Sequence, residues 1–251
     1  MVVLLEEADY AEHMSDPKTR VRESILTHLQ TWVYSGLGQV LLQNKASQPS
    51  NQTVLANPAA CQTLAELQAY LASKPRCHLC PGATQIVFGS GNPRAALMFI
   101  GEAPGADEDA QGIPFVGAAG QLLTAMIKAM KLDRDKDVYI ANIIKCRPPG
   151  NRKPTDTEIS ECLPYLWRQI ELIAPKIIVC LGAVPATTLL QTEVPISKMR
   201  GTFQMMGAIR VMPTFHPAYL LRNEEMKKPV WKDLQLVVQA MKELGIYPTP
   251  Q

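Results

Sequence analysis

Four of the six cysteines in the 251-residue chain have the spacing that a metal centre requires. The motif "CHLC" contains the C-x2-C pair Cys77 and Cys80, while "KCRPPGNR" and "SECLPYL" contribute Cys146 and Cys162. Thiolates from loops and helix ends suit an all-cysteine site, and their spacing is compatible with zinc, with an iron–sulfur centre or with no metal. A disulfide framework is disfavoured because nothing in the sequence points to export.

A glycine-rich segment with several carboxylates follows the apolar run "AALMFI". In "GEAPGADEDAQGIPFVGAAG", residues 101–120, the glycines let the backbone approach a ligand closely. A helix that begins near Ala118 offers free N–H groups to anionic groups. Glu102 stands at the carboxyl end of a predicted strand, where ligands of α/β proteins bind. The acidic run 107–109 is interpreted as a solvated turn or a cap.

Two further polar side chains stand where predicted strands end. His216 follows an apolar run in "TFHPAYLLRN", and Asn142 belongs to "YIANIIKC". A lone histidine is more often structural than catalytic, so the residue type alone does not assign a function to His216. Because the carboxyl ends of parallel strands meet at one edge of a sheet, we expect Glu102, Asn142 and His216 to converge on one pocket.

Predicted strands and helices alternate along the part of the chain that contains these residues. Apolar, β-rich runs predict four buried strands, at 95–101, 138–144, 176–182 and 208–214. Helical spacing predicts helices at 118–132 and 158–175, with a shorter one after the third strand. The pattern predicts an α/β fold: a three-layer sandwich with a central, mainly parallel four-stranded sheet flanked by helices. Cys180 in the third strand and Cys61 in a predicted N-terminal helix are interpreted as buried core thiols.

The first 70 residues differ from the rest of the chain. Interrupted helical patterns and the linker-like "KASQPSNQTVLANP" predict an N-terminal helical extension and linker over residues 1–70, followed by one domain over residues 71–251. The net charge of +2 is uneven: residues 75–251 carry 20 Lys/Arg and 16 Asp/Glu, which permits a polyanionic partner. With no signal peptide and no apolar run long enough to span a bilayer, we expect a cytoplasmic protein without a membrane partner.

Several of these motifs together resemble one family of DNA repair enzymes. "GEAPGADED" with "PFVG" downstream, "NIIKCRPPGNRKP", "HPAYLLRN" and the four cysteines look like the family 4 uracil-DNA glycosylases, the iron–sulfur members of the uracil-DNA glycosylase superfamily. The resemblance covers about residues 75 to 245 and makes residues 71–251 a catalytic domain. It implies a base excision repair hydrolase that flips uracil out of DNA and hydrolyses its N-glycosidic bond, leaving an abasic site.

The resemblance also implies a role for each matching residue. Glu102 and His216 would be catalytic, and they would contact uracil together with Gly101, Ala103, Phe115 and Asn142. Glu108 and Asn151 would support the pocket, and the DNA-contacting loop would contribute Leu220, Leu221 and Arg222. The implied cofactor is a 4Fe-4S cluster with the ligands Cys77, Cys80, Cys146 and Cys162. The implied partner is uracil-containing DNA, single- or double-stranded, bound by a monomer.

Two alternatives stay open at this point: a superfamily relative with altered base specificity or chemistry, and a non-catalytic iron–sulfur DNA-binding module. One such relative traps its substrate covalently through a histidine on an inserted basic loop, but the corresponding "ISKMRGTF" has no histidine. The presence of Glu102, Asn142 and His216 disfavours the non-catalytic module. Basic residues for DNA phosphates are available, although each is also an ordinary surface charge; they lie in "KCRPPGNRK" and at Arg222, Lys227, Lys228 and Lys232.

Overall fold

A six-stranded mixed sheet lies at the centre of the protein, whose computed structural model describes residues 58–73 and 77–248. Its strands are β1 (Ser90–Gly91), β2 (Leu97–Gly101), β3 (Val138–Asn142), β4 (Ile177–Leu181), β5 (Gln204–Met206) and β6 (Ile209–Thr214). The strand order is β1-β3-β2-β4-β6-β5. The central four strands are parallel, as predicted, and they are the four predicted strands.

The two edge strands were not predicted from the sequence. β1 has two residues and β5 has three, which is too short to show an apolar alternation. They pair antiparallel with β3 and β6. Short edge strands of this kind limit further pairing of the sheet with other chains.

Helices flank the sheet on both faces. In the described part of the chain they are α1 (Leu64–Ser73), α2 (Ala106–Gln111), α3 (Ala118–Ala129), α4 (Asp156–Ile173), α5 (Ala183–Leu190), α6 (Ile196–Met199), α7 (Pro217–Leu220) and α8 (Lys227–Glu243). The predicted helices at 118–132 and 158–175 correspond to α3 and α4. Helix α4 begins with a capping box, because the Thr155 hydroxyl accepts from the N–H of Glu158 and the Glu158 carboxylate accepts from that of Thr155.

Two apolar layers separate the helices from the sheet. One layer joins alternate strand residues, including Ile100, Ala141 and Ile178, to Leu166 and other residues of α4. The other joins the intervening strand residues to α3 and α8, with Phe99, Ile140, Val179, Leu123 and Leu234 among its members. Side chains of successive strand residues point to opposite faces, so fully apolar strands need a helix layer on each side. The predicted three-layer sandwich is confirmed.

Helix α1 packs against α4 through a small apolar cluster that includes Leu67, Leu71 and Tyr165. Cys61 is buried in this cluster, as predicted, but it precedes α1 instead of lying inside a helix. Its carbonyl accepts from Nε of Arg168 in α4 at 2.8 Å. Residues 1–57, which hold most of the predicted extension, lie outside the described residues, so the division of the chain at residues 70 and 71 stays a prediction.

No helix in residues 58–73 and 77–248 combines the length and the apolarity needed to cross a bilayer.

Candidate active site and cysteine centre

The carboxyl ends of the parallel strands border a cavity of about 400 Å³. Gly101 at the end of β2 pairs with Asn142 at the end of β3, and Leu181 of β4 pairs with Thr214 of β6, so the four strands end side by side. The cavity walls include eight residues singled out from the sequence: Glu102, Ala103, Glu108, Phe115, Asn142, Asn151, His216 and Arg222. The expected convergence of polar groups from three strand ends is therefore found.

Asn142 presents an unpartnered amide oxygen at this cavity. Its side chain is 1% exposed, and Oδ1 has no hydrogen-bond donor among the described residues. A buried acceptor left in this state costs about 1–3 kcal/mol. The backbone is held firmly by contrast, since the Asn142 carbonyl accepts from Nζ of the buried Lys145 at 2.7 Å, and Nζ also donates to Oε1 of Gln169 at 2.7 Å. The backbone of Asn142 is thus fixed in position, and the side-chain amide has its acceptor available to a ligand.

Phe115 forms a wall of the cavity through an unusual backbone and two close glycine contacts. Its φ is 54°, in the left-handed region that costs a non-glycine residue about 1–3 kcal/mol. A Cβ on Gly101 would lie 2.5 Å from Cζ of the Phe115 ring, and a Cβ on Gly120 would overlap the Phe115 carbonyl. The ring centroid lies 5.5 Å from that of His216. Glycine at positions 101 and 120 therefore leaves the room that the Phe115 ring occupies beside His216.

Glu108 fixes the loop that carries Phe115. Its Oε1 accepts from the N–H groups of Val116 at 2.8 Å and Gly117 at 2.9 Å, and its Oε2 accepts from the N–H of Gly105 at 3.0 Å. One carboxylate thus ties the start of α2 to the loop before α3. Within the acidic run 107–109, the predicted cap is found at Glu108, which shapes the cavity wall through backbone contacts.

Glu102 directly follows β2 and lines the cavity. No described residue donates a hydrogen bond to its carboxylate. Burial raises the pKa of Glu102, and the positive charge of Lys153 opposes this rise only in part. A carboxylate with a raised pKa and no partner is suited to accept a proton from a bound water.

His216 caps the start of α7 and has a neutral imidazole. Nδ1 accepts from the N–H of Ala218 at 3.1 Å, so the ring proton resides on Nε2. Burial lowers the pKa of His216 to about 4, which the charge of Glu108 opposes and that of Arg222 reinforces. The side chain therefore offers one N–H donor without a positive charge.

Comparison with known proteins gives the family. The family model for the uracil DNA glycosylase superfamily matches residues 88–235. The type-4 uracil-DNA glycosylase of Thermotoga maritima is 42% identical over 177 residues, which cover 68% of this chain and 92% of the relative. That of Sulfurisphaera tokodaii is 42% identical over 201 residues, covering 74% and 86%, and that of Archaeoglobus fulgidus 40% over 184 residues, covering 70% and 92%. The chain belongs to the type-4 family of the uracil-DNA glycosylase superfamily. The resemblance found in the motifs is confirmed.

In this member of the type-4 family, cysteines from separate segments form one cluster. The Sγ atoms of Cys77 and Cys80 lie 3.3 Å apart, and those of Cys80 and Cys146 lie 3.0 Å apart. These three sulfur atoms all lie within 4.8 Å of one another, and Cys162 on α4 contacts Cys77. The cysteines are free thiols, and hydrogen bonds from neighbouring thiols, Cys146 first, lower the pKa of Cys77. A buried group of thiols that favours a thiolate could hold a metal.

The loop that the resemblance implies contacts DNA is partly buried in the core and partly exposed at the surface. Leu220 is 1% exposed and packs in the apolar layer with α3 and α8, whereas Leu221 is 45% exposed. Arg222 lies at the cavity wall. Asn151 also lines the cavity, and its Oδ1 accepts from Nε of Arg147 at 2.6 Å. Leu221 and Arg222 are thus available to a ligand at the surface, while Leu220 supports the loop from below.

Arg152 and Tyr219 line the cavity too, although no sequence pattern predicted a role in the pocket for either residue. Arg152 was one of several basic residues of "KCRPPGNRK" that the sequence could not rank. The available signal was the capping-box motif "TDTE", because its Glu158 is the ion-pair partner of Arg152.

The lowered pKa of His216 predicts a loss of stability in acid. Its pKa falls from 6.5 to about 4 on folding. The unfolded chain therefore binds this proton more tightly, and the free energy of unfolding should drop by about 2–3 kcal/mol as the pH decreases through this interval. Urea denaturation at a series of pH values measures the drop. His216→Asn keeps a helix cap without a titrating group and should remove this part of the pH dependence. An unchanged pH dependence in the variant would contradict a neutral, partly buried imidazole.

Proposed function

We propose that the protein is a uracil-DNA glycosylase of DNA repair that takes uracil from single- or double-stranded DNA into the cavity and hydrolyses its N-glycosidic bond, leaving an abasic site. The observation that carries this proposal is the unpartnered Oδ1 of Asn142 in a cavity that also contains Glu102, Phe115 and His216. The names of the type-4 relatives support it. The proposal includes a monomeric enzyme that acts in the cytoplasm.

Uracil is recognised by a stacking surface and a side-chain amide. Moving the nucleotide out of the helix costs a few kcal/mol, which stacking on Phe115 offsets. Oδ1 of Asn142 accepts from N3–H of uracil, and Nδ2 donates to O4. Cytosine carries an acceptor at N3 and a donor at its exocyclic amine, which reverses both contacts. The backbone at Gly101 and Ala103 completes the wall beside the base.

Cleavage of the C1′–N1 bond is assisted at both ends. The electron pair of the breaking bond moves onto uracil, and Nε2–H of His216 donates to the negative charge that develops at O2. A water molecule adds its oxygen to C1′, and the Glu102 carboxylate takes the proton that this water loses. Each carboxylate therefore has a separate task, because Glu108 is engaged with backbone N–H groups and Glu102 is not.

The exposed loop after α7 contacts the DNA. Leu221 is apolar and exposed, so it fills the gap that the flipped nucleotide leaves in the stack. Arg222 pairs with a nearby phosphate. Leu220 supports this loop from the core, and Asn151 shapes the opposite wall of the cavity.

The cysteine centre is proposed to hold a 4Fe-4S cluster. The donor set fits such a group, because four free thiols meet there and Cys77, Cys80 and Cys146 form a group of sulfur donors alone. Membership of the type-4 family favours iron–sulfur over zinc, which the spacing alone left open. When bound, the cluster supplies a cross-link between the loop before β1, the segment after β3 and helix α4.

Release of uracil from a labelled oligonucleotide tests the proposed activity. Wild-type protein should release uracil, and His216→Ala should lower the single-turnover rate about 10²–10³-fold, with a much smaller effect on DNA binding. DNA binding without any release would instead identify a non-catalytic binding module.

The pH dependence of the rate tests Glu102. Because its pKa is raised above 4.5, the Glu102 carboxyl becomes protonated, and the rate should fall, at a higher pH than for an ordinary glutamate. Glu102→Gln has no titrating carboxyl at this position and should remove this fall of the rate in acid.

Base selection is tested at Asn142 and Phe115. Asn142→Asp removes the donor to O4, so uracil release should fall and a small cytosine release should emerge. Phe115→Ala should lower release of both bases by a similar factor, because stacking tolerates any base. Single-turnover rates on matched uracil and cytosine oligonucleotides measure the ratio. Full uracil release by Asn142→Asp, or a changed base ratio in Phe115→Ala, would overturn these two roles.

The cluster assignment predicts a brown protein that contains iron. Anaerobically prepared wild-type protein should contain four iron atoms per chain, as expected for one 4Fe-4S cluster, and absorb visible light. Cys162→Ala should lose the iron and unfold at lower temperature, since the cross-link to α4 is lost. Cys61→Ala, a buried thiol outside the centre, is the matched control and should keep its iron. Stoichiometric zinc without iron would show that the centre is a zinc site.

A further inference from the structure

Glu158 is a fully buried carboxylate that lies outside the proposed chemistry. Its residue accessibility is 0%, and its carboxylate receives hydrogen bonds from three residues. Nη1 and Nη2 of Arg152 donate to it at 2.8 and 2.5 Å, the N–H of Thr155 at 2.8 Å and Nε2 of His78 at 3.0 Å. Arg152, first among these partners, lowers the pKa of Glu158 to about 2, so the carboxylate is ionised at neutral pH.

The bonding pattern of Arg152 leaves one edge of its guanidinium open. Nη1 and Nη2 form the fork that grips the two oxygens of Glu158, and Nη1 also donates to the carbonyl of Lys153 at 3.1 Å. Among the described residues no acceptor is bonded to Nε, which shares its edge with the second N–H of Nη2. This Nε/Nη2 edge is a two-donor fork of the kind that binds a phosphate through two oxygens.

The open edge belongs to a side chain at the proposed DNA-binding side of the molecule. Arg152 lines the cavity together with Asn142 and His216, and 43% of its side chain is exposed. An exposed arginine is normally mobile, and fixing it before a ligand arrives reduces the ordering cost of binding. Glu158 performs this fixing from the interior, and it is itself held by the first turn of α4 and by His78, which stands between Cys77 and Cys80.

We propose that Arg152 binds a backbone phosphate of the DNA through its Nε/Nη2 edge, and that Glu158 is the positioning residue that holds Arg152 in place for this contact. The proposal rests on the proposed function for the identity of the ligand as DNA. Because it concerns binding, it is tested with an oligonucleotide that contains a stable abasic-site analogue and no uracil. A wild-type protein that releases no uracil would overturn the proposed function, whereas DNA binding by variants of Arg152 and Glu158 tests the phosphate contact alone.

The phosphate contact is tested at Arg152. Arg152→Gln should weaken binding of the labelled oligonucleotide about tenfold and reduce the slope of log affinity against log salt by about 0.7 for a single strand. Arg152→Lys keeps a cation beside Glu158, and therefore the fold, but lacks the fork, so its affinity should also fall below that of wild type. Iron content and melting temperature identify folded protein. If Arg152→Gln does not fold, Arg152→Lys decides: wild-type affinity in folded Arg152→Lys would overturn the contact.

The positioning role is tested at Glu158 by a double-mutant cycle. Glu158→Gln should weaken DNA binding although it removes a negative charge, and Glu158→Gln combined with Arg152→Lys should bind as Arg152→Lys alone does. Glu171→Gln is the matched control: it breaks the Arg168–Glu171 ion pair on the same helix, removes the same charge and should not weaken binding. Should Glu158→Gln not fold, Glu158→Asp retains the charge at shorter reach and should show the same loss. Additive losses, or folded Glu158 variants with wild-type affinity, would overturn the positioning role.

Discussion

The parallel register between β2 and β3 is the constraint on which the cavity depends. Gly101 stands opposite Asn142, and the pairing continues beyond both strands, since the N–H of Ile143 donates to the Gly101 carbonyl at 2.9 Å and that of Ile144 to the Glu102 carbonyl at 3.2 Å. The ends of the two strands are thereby held together at the positions of Glu102 and Asn142. A slip of one residue would turn each side chain to the other face of the sheet and remove the amide from the cavity.

Close packing then decides which side chains can occupy the space above the strands. The ring of Phe115 fits there because Gly101 and Gly120 have no Cβ, and three backbone N–H groups bound to Glu108 hold its loop in a conformation that costs free energy. On the other side, Lys145 fixes the Asn142 carbonyl from within the core. The cavity is therefore shaped before any ligand enters, which reduces the ordering cost of binding.

Burial sets the electrostatic character of the groups in this cavity. It raises the pKa of Glu102 and lowers that of His216, so a proton acceptor and an uncharged hydrogen-bond donor lie in one cavity.

Helix α4 connects the cavity to the cysteine centre. Its first turn carries Glu158, which contacts both Arg152 at the cavity and His78 in the cysteine loop, and one turn later it carries Cys162. The cysteine centre and the cavity thus share one structural support.

The sequence was enough to predict the four central strands, the two long helices beside them, the group of cysteines and the polar side chains at three strand ends, because apolar periodicity and residue spacing are local properties of the chain. It did not determine the two edge strands, whose pairing is too short to leave a pattern, or the position of Cys61 before a helix. Tertiary contacts were needed to establish that Leu220 is buried while Leu221 is exposed, and that Arg152, among several similar basic residues, is held at the cavity by Glu158. Burial and side-chain partnership depend on which distant segments meet, and that information is absent from any single stretch of sequence.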